Sequence, residues 1–509
     1  MLTVGGFTLL SRVTGFLRDI VLAAVLGAGP LADAFFVALR IPNHFRAIFA
    51  EGAFNAAFVP AYARIRQQDG AAPAQVFADR IFTLLLISQI VLLGVAFGFM
   101  SGVIGVLAPG FAEDPERFSL AVEFTRITFP YLLLVSVVTL YSGILNALSR
   151  FATAAAAPIL LNLSMIVTLA LAAFFPTVGH AAAWGVLIAG VLEVFLVGGD
   201  AWRQGALPKL RWPSFDVEIK GFFKRFAPAT IGSAETQIAL FADTIIASFL
   251  ATGALSALYY ADRINQLPIG VIGIAAGVVL LPEMARRISA GDEAGARHAQ
   301  NRAVELALLL TVPCFVAFLL VPETIMQALF GRGAFTAAAA QNAAATLMAY
   351  AVGLFPFVLI RSAAVTFLSR GDTFTPVKAL FFAVIVNVAL KIVLMGPLAQ
   401  VGLALATAVG AWVNLTLLVW FAHRQRFVAL DDRLRGAILR FFAAGVILAI
   451  ALLVAKQALP PFVSGWRFGD EIMLLSLVIV GTLAYGGAVA ILFGRTWLGM
   501  LRRVQSSEK

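Results

Sequence analysis

Four arginines occupy positions where charge is expensive: Arg12 and Arg18 in the first long apolar stretch, Arg46 in the second and Arg263 in the eighth. At mid-depth in a bilayer each charge costs roughly 2.5 to 3.5 kcal/mol on insertion scales. Four of them in two helix pairs point to a shared anionic ligand. The planar guanidinium fork makes paired hydrogen bonds to phosphate oxygens, so a phosphate-rich ligand fits it. Arg12 and Arg18 are six residues apart, about 9 Å along a regular helix and about 120° around it. They share one cavity only if the helix bends, and Gly5, Gly6 and Gly15 permit that. Asn43 shares a helix face with Arg46 at i,i+3, as Gln266 does with Arg263. The structural alternative is that these cations snorkel to the interface or bridge to Asp19, Asp33, Glu51 or Asp262; for Arg40 it is at least as good as a binding role.

A second group lies further along: Asp243, and Asn387 with Lys391 one helical turn apart. Asp243 and Lys391 are expected to form an intramembrane ion pair. It serves either as a packing bridge or as a coupling site where a carboxylate gains and loses a cation or proton. Catalysis has no comparable support. There is no Asp-rich metal motif and no Gly-rich phosphate loop, and only four His occur, so no catalytic residue, metal or cofactor is expected. The single Cys314 can form no intrachain disulfide and reads as core packing.

The elements that must position these groups are membrane helices. The 509 residues are 61% hydrophobic and 13% charged, far more apolar than soluble chains, with a mean hydropathy of +0.94. The net charge of +10 would suggest nucleic acid in a soluble protein, but most cations sit in short links between apolar runs. About fourteen spans are expected, centred near Thr8, Asn55, Leu86, Leu134, Met165, Val186, Ala239, Ile272, Leu310, Val352, Ile385, Ala408, Val446 and Val478, the second and eighth long and interrupted. No cleavable leader is apparent, so the first stretch is read as a retained helix. Links after even-numbered spans carry Arg64, Arg66 and Arg80, then Arg150, Lys209, Arg211, Arg286, Arg287, Arg370, Arg424 and Arg433 among others, which places them and both termini in the cytoplasm.

The chain also repeats itself. Phe58-Val59-Pro60-Ala61-Tyr62-Ala63-Arg64 resembles Leu280-Leu281-Pro282-Glu283-Met284-Ala285-Arg286, a shift of about 222 residues. Leu148-Ser149-Arg150 recurs as Leu368-Ser369-Arg370, and Phe129-Pro130-Tyr131 as Phe355-Pro356-Phe357. The expected architecture is therefore an all-α integral membrane protein. Two parallel six-helix lobes, residues 1–215 and 216–428, are followed by two extra helices in residues 429–509. Such paired bundles can rock around a central site, which is a transporter design.

Ser11-Arg12-Val13-Thr14-Gly15-Phe16-Leu17-Arg18-Asp19, Asp33-Ala34-Phe35-Phe36-Val37-Ala38, Ile41-Pro42-Asn43 and Phe49-Ala50-Glu51-Gly52-Ala53-Phe54 closely resemble the MurJ/MviN family of lipid II flippases. Tyr259-Tyr260-Ala261-Asp262-Arg263 and Gln266-Leu267-Pro268 extend the likeness, which covers essentially the whole chain. The resemblance implies the multidrug/oligosaccharidyl-lipid/polysaccharide exporter fold, with a cationic cavity lined by helices 1, 2, 7 and 8. It implies that Arg12, Arg18, Arg46 and Arg263, with Ser11 and Asn43 beside them, contact the pyrophosphate and sugar of lipid II. Asp19, Asp33, Glu51, Asp262 and Gln266 would act in gating, Asp33 and Glu51 as partners of the arginines, and helices 13 and 14 would form a groove for the polyprenyl tail. Expected partners are lipid II and membrane lipids, with cell-wall synthesis proteins as candidate associates, no nucleic acid and no cofactor. The location implied is the bacterial inner membrane. Gln266 stands where some relatives carry a carboxylate. Lys391 stands where a carboxylate would help hold sodium, which argues against sodium coupling and leaves membrane potential or protons. The rival readings are an exporter of another lipid-linked oligosaccharide or of amphipathic drugs on the same fold, a membrane-embedded glycosyltransferase or phosphatase, and a non-transporting scaffold.

Overall fold

The computed structural model describes residues 2–46, 53–463, 465–466 and 468–494. Among them every regular element is helical: α1 (Leu2–Leu26), α2 (Pro30–Arg46), α3 (Ala53–Gln68), α4 (Ala71–Gly98), α5 (Met100–Leu107), α6 (Pro115–Thr128), α7 (Tyr131–Ala147), α8 (Ala152–Ala170), α9 (Val178–Arg203) and α10 (Val217–Ser248) come first. They are followed by α11 (Ala254–Pro268), α12 (Ile274–Ser289), α13 (Glu293–Leu320), α14 (Pro322–Phe330), α15 (Ala337–Val352), α16 (Leu354–Leu368), α17 (Phe374–Arg424), α18 (Asp432–Ala458), α19 (Pro460–Val463) and α20 (Gly469–Phe493). A helix or helical turn stands at each of the fourteen expected span centres, and nine helical segments among the described residues are long and apolar enough to cross a membrane.

Two of those centres fall in α17. As one straight rod its 51 residues would run about 77 Å, more than twice a bilayer core of about 30 Å. It breaks instead at Ala399 (φ 45°, ψ −128°), just after Pro397, and folds back. The two arms pack on glycine: a Cβ on Gly402 would lie 2.4 Å from the Leu394 carbonyl oxygen, and one on Gly410 2.9 Å from the Asn387 Cβ. The eighth span is interrupted as expected, by a π turn over Ile269–Gly273 between α11 and α12, directly after Pro268.

Polar residues start several of the helices. Asp114, Thr177, Asp216, Asp292 and Asp431 accept from first-turn N–H groups of α6, α9, α10, α13 and α18. Left-handed turn residues recur in step: Gly27 and Gly253, Gly70 and Gly291, Ser149 and Gly371, Gly205 and Arg426, roughly 221–226 residues apart. After both members of the last two pairs the chain closes with the same bond, an N–H to the carbonyl five residues back, as in Arg150 to Leu145 and Asp372 to Phe367, and Asp292 to Arg287 repeats it after Gly291. These closures set the Leu-Ser-Arg turns two residues out of register with their sequence match, because Ser149 takes the left-handed position that Gly371 fills in the second turn.

The chain separates into two compact units, residues 1–256 with 332–336, and residues 257–331 with 337–509. Packing and the sequence repeat thus divide it at different places. The repeat starts a second lobe at residue 216, whereas α10 packs within the first unit. Phe222 and Phe226 of α10 stack edge-on against Phe54 of α3, Glu218 and Asp216 pair with Arg64 and Arg80, and Ser248 accepts from the Gly110 N–H. The short segment 332–336 joins that unit because the Ala334 N–H bonds the Ala24 carbonyl of α1.

In the second unit α18 and α20 lie on α13. The Tyr485 hydroxyl donates to the Leu309 carbonyl at 2.8 Å, and Gly445 leaves room for Val312. Much of the interior is alanine, while Val393, Phe442, Leu483 and Ile491 are between 67% and 83% exposed. Small side chains inside and large apolar ones outside suit a bundle whose solvent is lipid.

Candidate substrate site

α1 runs from Leu2 to Leu26 with no interruption of the helix at Gly15. Gly15 serves close approach instead: its bare face meets the Asn162 side chain of α8. Arg12 stays exposed, whereas Arg18 is 9% exposed and turned towards α8. Its Nε and Nη2 donate to Asp19 at 3.1 and 2.7 Å, and its Nη1 donates to the Asn162 Oδ1 at 3.0 Å. The Asn162 amide in turn donates to the Ser11 carbonyl and the Thr14 hydroxyl. A buried guanidinium so held has its charge offset and its fork aligned. The network unites Ser11, Arg18 and Asp19, all singled out by the sequence, through Asn162, which was not.

On α2, the Asn43 amide donates to the Leu39 carbonyl of its own helix at 2.9 Å. Arg46 lines a cavity of about 240 Å³ with Asn55, Tyr131, Ser142, Asn146 and Glu193; Asn43, though on the same helical face, is not among its lining residues. Glu193 of α9 faces Arg46 here.

Asp33 departs furthest from expectation. The described residues give it partners other than the cavity arginines. It is fully buried, accepts from the backbone N–H groups of Gly253 and Ser256 at 2.7 and 2.9 Å and from the Ser256 hydroxyl at 2.6 Å, and lies 3.8 Å from the Arg117 Nη1. The reason is geometric: Asp33 sits in the first turn of α2, where it can cap the first turn of α11. Arg117 of α6 is 7% exposed, donates to Asp114 and to the Leu250 carbonyl, and stacks on Phe111 at 4.7 Å. The Arg117 backbone N–H, followed by its side chain, holds the Asp114 carboxyl below the usual carboxylate range, so this ion pair persists into acid.

In the second unit Arg263 stacks on Tyr259 at 4.6 Å, and Gln266 donates to Asp262 one turn back, within its own helix. Lys391 is 2% exposed, one turn from Asn387, whose Oδ1 is buried without a hydrogen bond. Asp243 lies in the first unit and Lys391 in the second. Glu51 lies outside the described residues. Among the described residues no group of His, Cys, Asp and Glu could hold a metal ion.

The second unit also contains an apolar cavity of about 300 Å³ lined by Cys314, Phe318, Leu448, Leu452, Leu477 and Gly481, between α13, α18 and α20.

The family model described as "Lipid II flippase MurJ" matches residues 22–476. A probable lipid II flippase MurJ of Rhizobium meliloti is 41% identical over 512 residues, covering 98% of this chain and 95% of the relative. Its counterpart in Rhizobium tropici is 39% identical over 509 residues, covering 99% and 95%. A solved lipid II flippase MurJ in an inward closed conformation superposes with a TM-score of 0.81, at 22% identity, over 98% of this chain and all of that one.

Proposed function

The chain belongs to the MurJ family of lipid II flippases, and from that premise we propose that it moves lipid II, the lipid-linked peptidoglycan precursor, from the cytoplasmic to the periplasmic leaflet by alternating access. The observation that carries this reading is the 41% identity sustained over 98% of the chain. The arginines are its chemical counterpart. The protein is a multi-pass membrane transporter, and both termini face the cytoplasm in this reading.

Arg12, Arg18, Arg46 and Arg263 hold the pyrophosphate and sugar, with Ser11 and Asn43 beside them. For Arg18 this is an exchange: its fork leaves Asp19 and Asn162 for phosphate oxygens, so the ligand must offer at least as much charge. A ligand shifts only an equilibrium it binds unequally, and weaker arginine contacts in the outward state release the headgroup. Asp33, Glu51, Asp262 and Gln266 act in gating, and Asp243 with Asn387 and Lys391 in coupling to membrane potential or protons. The lobes that rock are those of the repeat, and the Gly27/Gly253, Gly70/Gly291, Ser149/Gly371 and Gly205/Arg426 turns support that division. Cell-wall synthesis proteins are candidate associates.

The polyprenyl tail follows α18 and α20, and their apolar cavity supports this. Gly481→Phe would fill it, since a Cβ there already lies 3.2 Å from Leu448. Flipping of full-length lipid II is expected to slow several-fold in reconstituted vesicles while a short-chain analogue is unaffected; equal slowing of both would remove the groove from the account.

The substrate assignment is tested with purified protein in vesicles offered fluorescent lipid II, a neutral polyprenyl-linked sugar and a cationic amphipathic drug. Selective movement of lipid II is expected, and preference for either competitor would shift the assignment to another exporter of the fold.

A further inference from the structure

We propose that Glu193, in the cavity it shares with Arg46, is a proton-carrying site of the first unit that links protonation to substrate binding. The carboxylate sits in the middle of α9, 3% exposed. Among the described residues it accepts one hydrogen bond, a long one from the Tyr131 hydroxyl at 3.4 Å. A buried carboxylate with so little solvation is costly unless an opposite charge offsets it or a proton neutralises it.

Among the described residues the charge that acts on it is Arg46. Elsewhere on α2 the His44 ring lies against Phe241 at 4.7 Å, Asp33 is bound to the Gly253 and Ser256 N–H groups, and Arg40 is half-buried. On the other helices packed against α9, α8 carries no ionisable side chain, α7 brings Tyr131 while its Tyr141 packs on Phe82, and on α1 Arg12 is exposed and Arg18 is bound to Asp19. On α6, Glu123 turns to His180, Arg117 to Asp114 and Asp33, and Glu116 and Arg126 are exposed. Arg46, Asn55, Tyr131, Ser142 and Asn146 make the cavity polar, which suits a site that exchanges protons.

The inference rests on the lipid II reading, in which Arg46 binds the pyrophosphate. Each time Arg46 turns to the substrate, Glu193 loses its counter-charge and takes up one proton from water. When the substrate leaves and Arg46 returns, that proton is released. One proton then accompanies each substrate, and lipid II binds more tightly as pH falls through the working range of the site. Glu193 does not contact the lipid; it acts through Arg46.

The test is lipid II affinity of the full-length protein in nanodiscs from about pH 5 to about pH 8, wild type against Glu193→Gln. Wild type is expected to gain affinity towards acid, approaching tenfold per pH unit over part of the range, the limit for one proton. Glu193→Gln, a fixed mimic of the protonated side chain, is expected to bind near the wild-type acid value with a flat profile. A wild-type slope retained in Glu193→Gln, or no slope in wild type, overturns the proposal.

Tyr131→Phe gives an independent check should Glu193→Gln fail to fold. Withdrawing the phenol destabilises the ionised carboxylate, so the midpoint moves to higher pH, and an unmoved midpoint overturns the proposal. Absence of lipid II binding at every pH in wild type would instead overturn the functional reading beneath it.

Discussion

Arg18→Ala and Arg263→Ala are each expected to lower lipid II affinity about 10- to 100-fold, because one charge-assisted hydrogen-bonded contact contributes about 1.5–3 kcal/mol. The two variants should differ in stability. Removing the Arg18 side chain leaves Asp19, 3% exposed, beside Asn162 without its guanidinium, so Arg18→Ala also destabilises. Arg263 stacks on Tyr259, and its removal should cost less stability for a similar loss of binding. Arg18→Lys keeps the charge but not the fork, and is expected to restore stability more than affinity. Calorimetric binding and thermal unfolding in detergent separate the two effects. Wild-type affinity in both alanine variants would remove these arginines from the site.

The second large effect concerns Asp33. Asp33→Ala withdraws three short hydrogen bonds and a counter-charge from a fully buried position, leaving the Gly253 and Ser256 N–H groups without acceptor and Arg117 with one carboxylate fewer. The expected loss is about 3–5 kcal/mol, the usual result of removing one partner from a buried ion pair. Asp33→Asn retains an acceptor oxygen and should lose less. Detergent unfolding reports the stability. A cysteine placed at exposed Ala251 should label faster with a water-soluble thiol reagent in Asp33→Ala than in the parent, if the 251–256 segment is held by these bonds. Unchanged unfolding and labelling would mean that Asp33 holds nothing there.

The helices at the expected centres were legible because a bilayer imposes a length on apolar runs. The repeat was legible in Pro60 and Pro282, and its turns proved more regular than their residues, since Ser149 and Gly371 occupy the same left-handed position. Neighbours were less legible. Helical periodicity says which residues share a face, but not what that face meets. Arg18 and Asn162 are 144 residues apart, and nothing local marks an asparagine in an apolar run as a ligand for that arginine. That Glu193 faces Arg46 depends on how α9 lies on α2. The burial of Arg117, in a polar stretch of sequence, follows from Phe111 and Leu250, which only the folded chain brings together. The assignment of α10 to the first unit likewise depends on Phe54 meeting Phe222 and Phe226, an aromatic stack that no repeat predicts.

Whether the protein flips lipid II is read by lipid II accessibility at the outer face of bacterial cells depleted of their own flippase and supplied with this chain. Wild type is expected to restore outer-face lipid II and cell shape, while Arg18→Ala and Arg263→Ala at matched membrane expression do not. Wild type that inserts correctly yet leaves lipid II confined to the inner face would contradict that function.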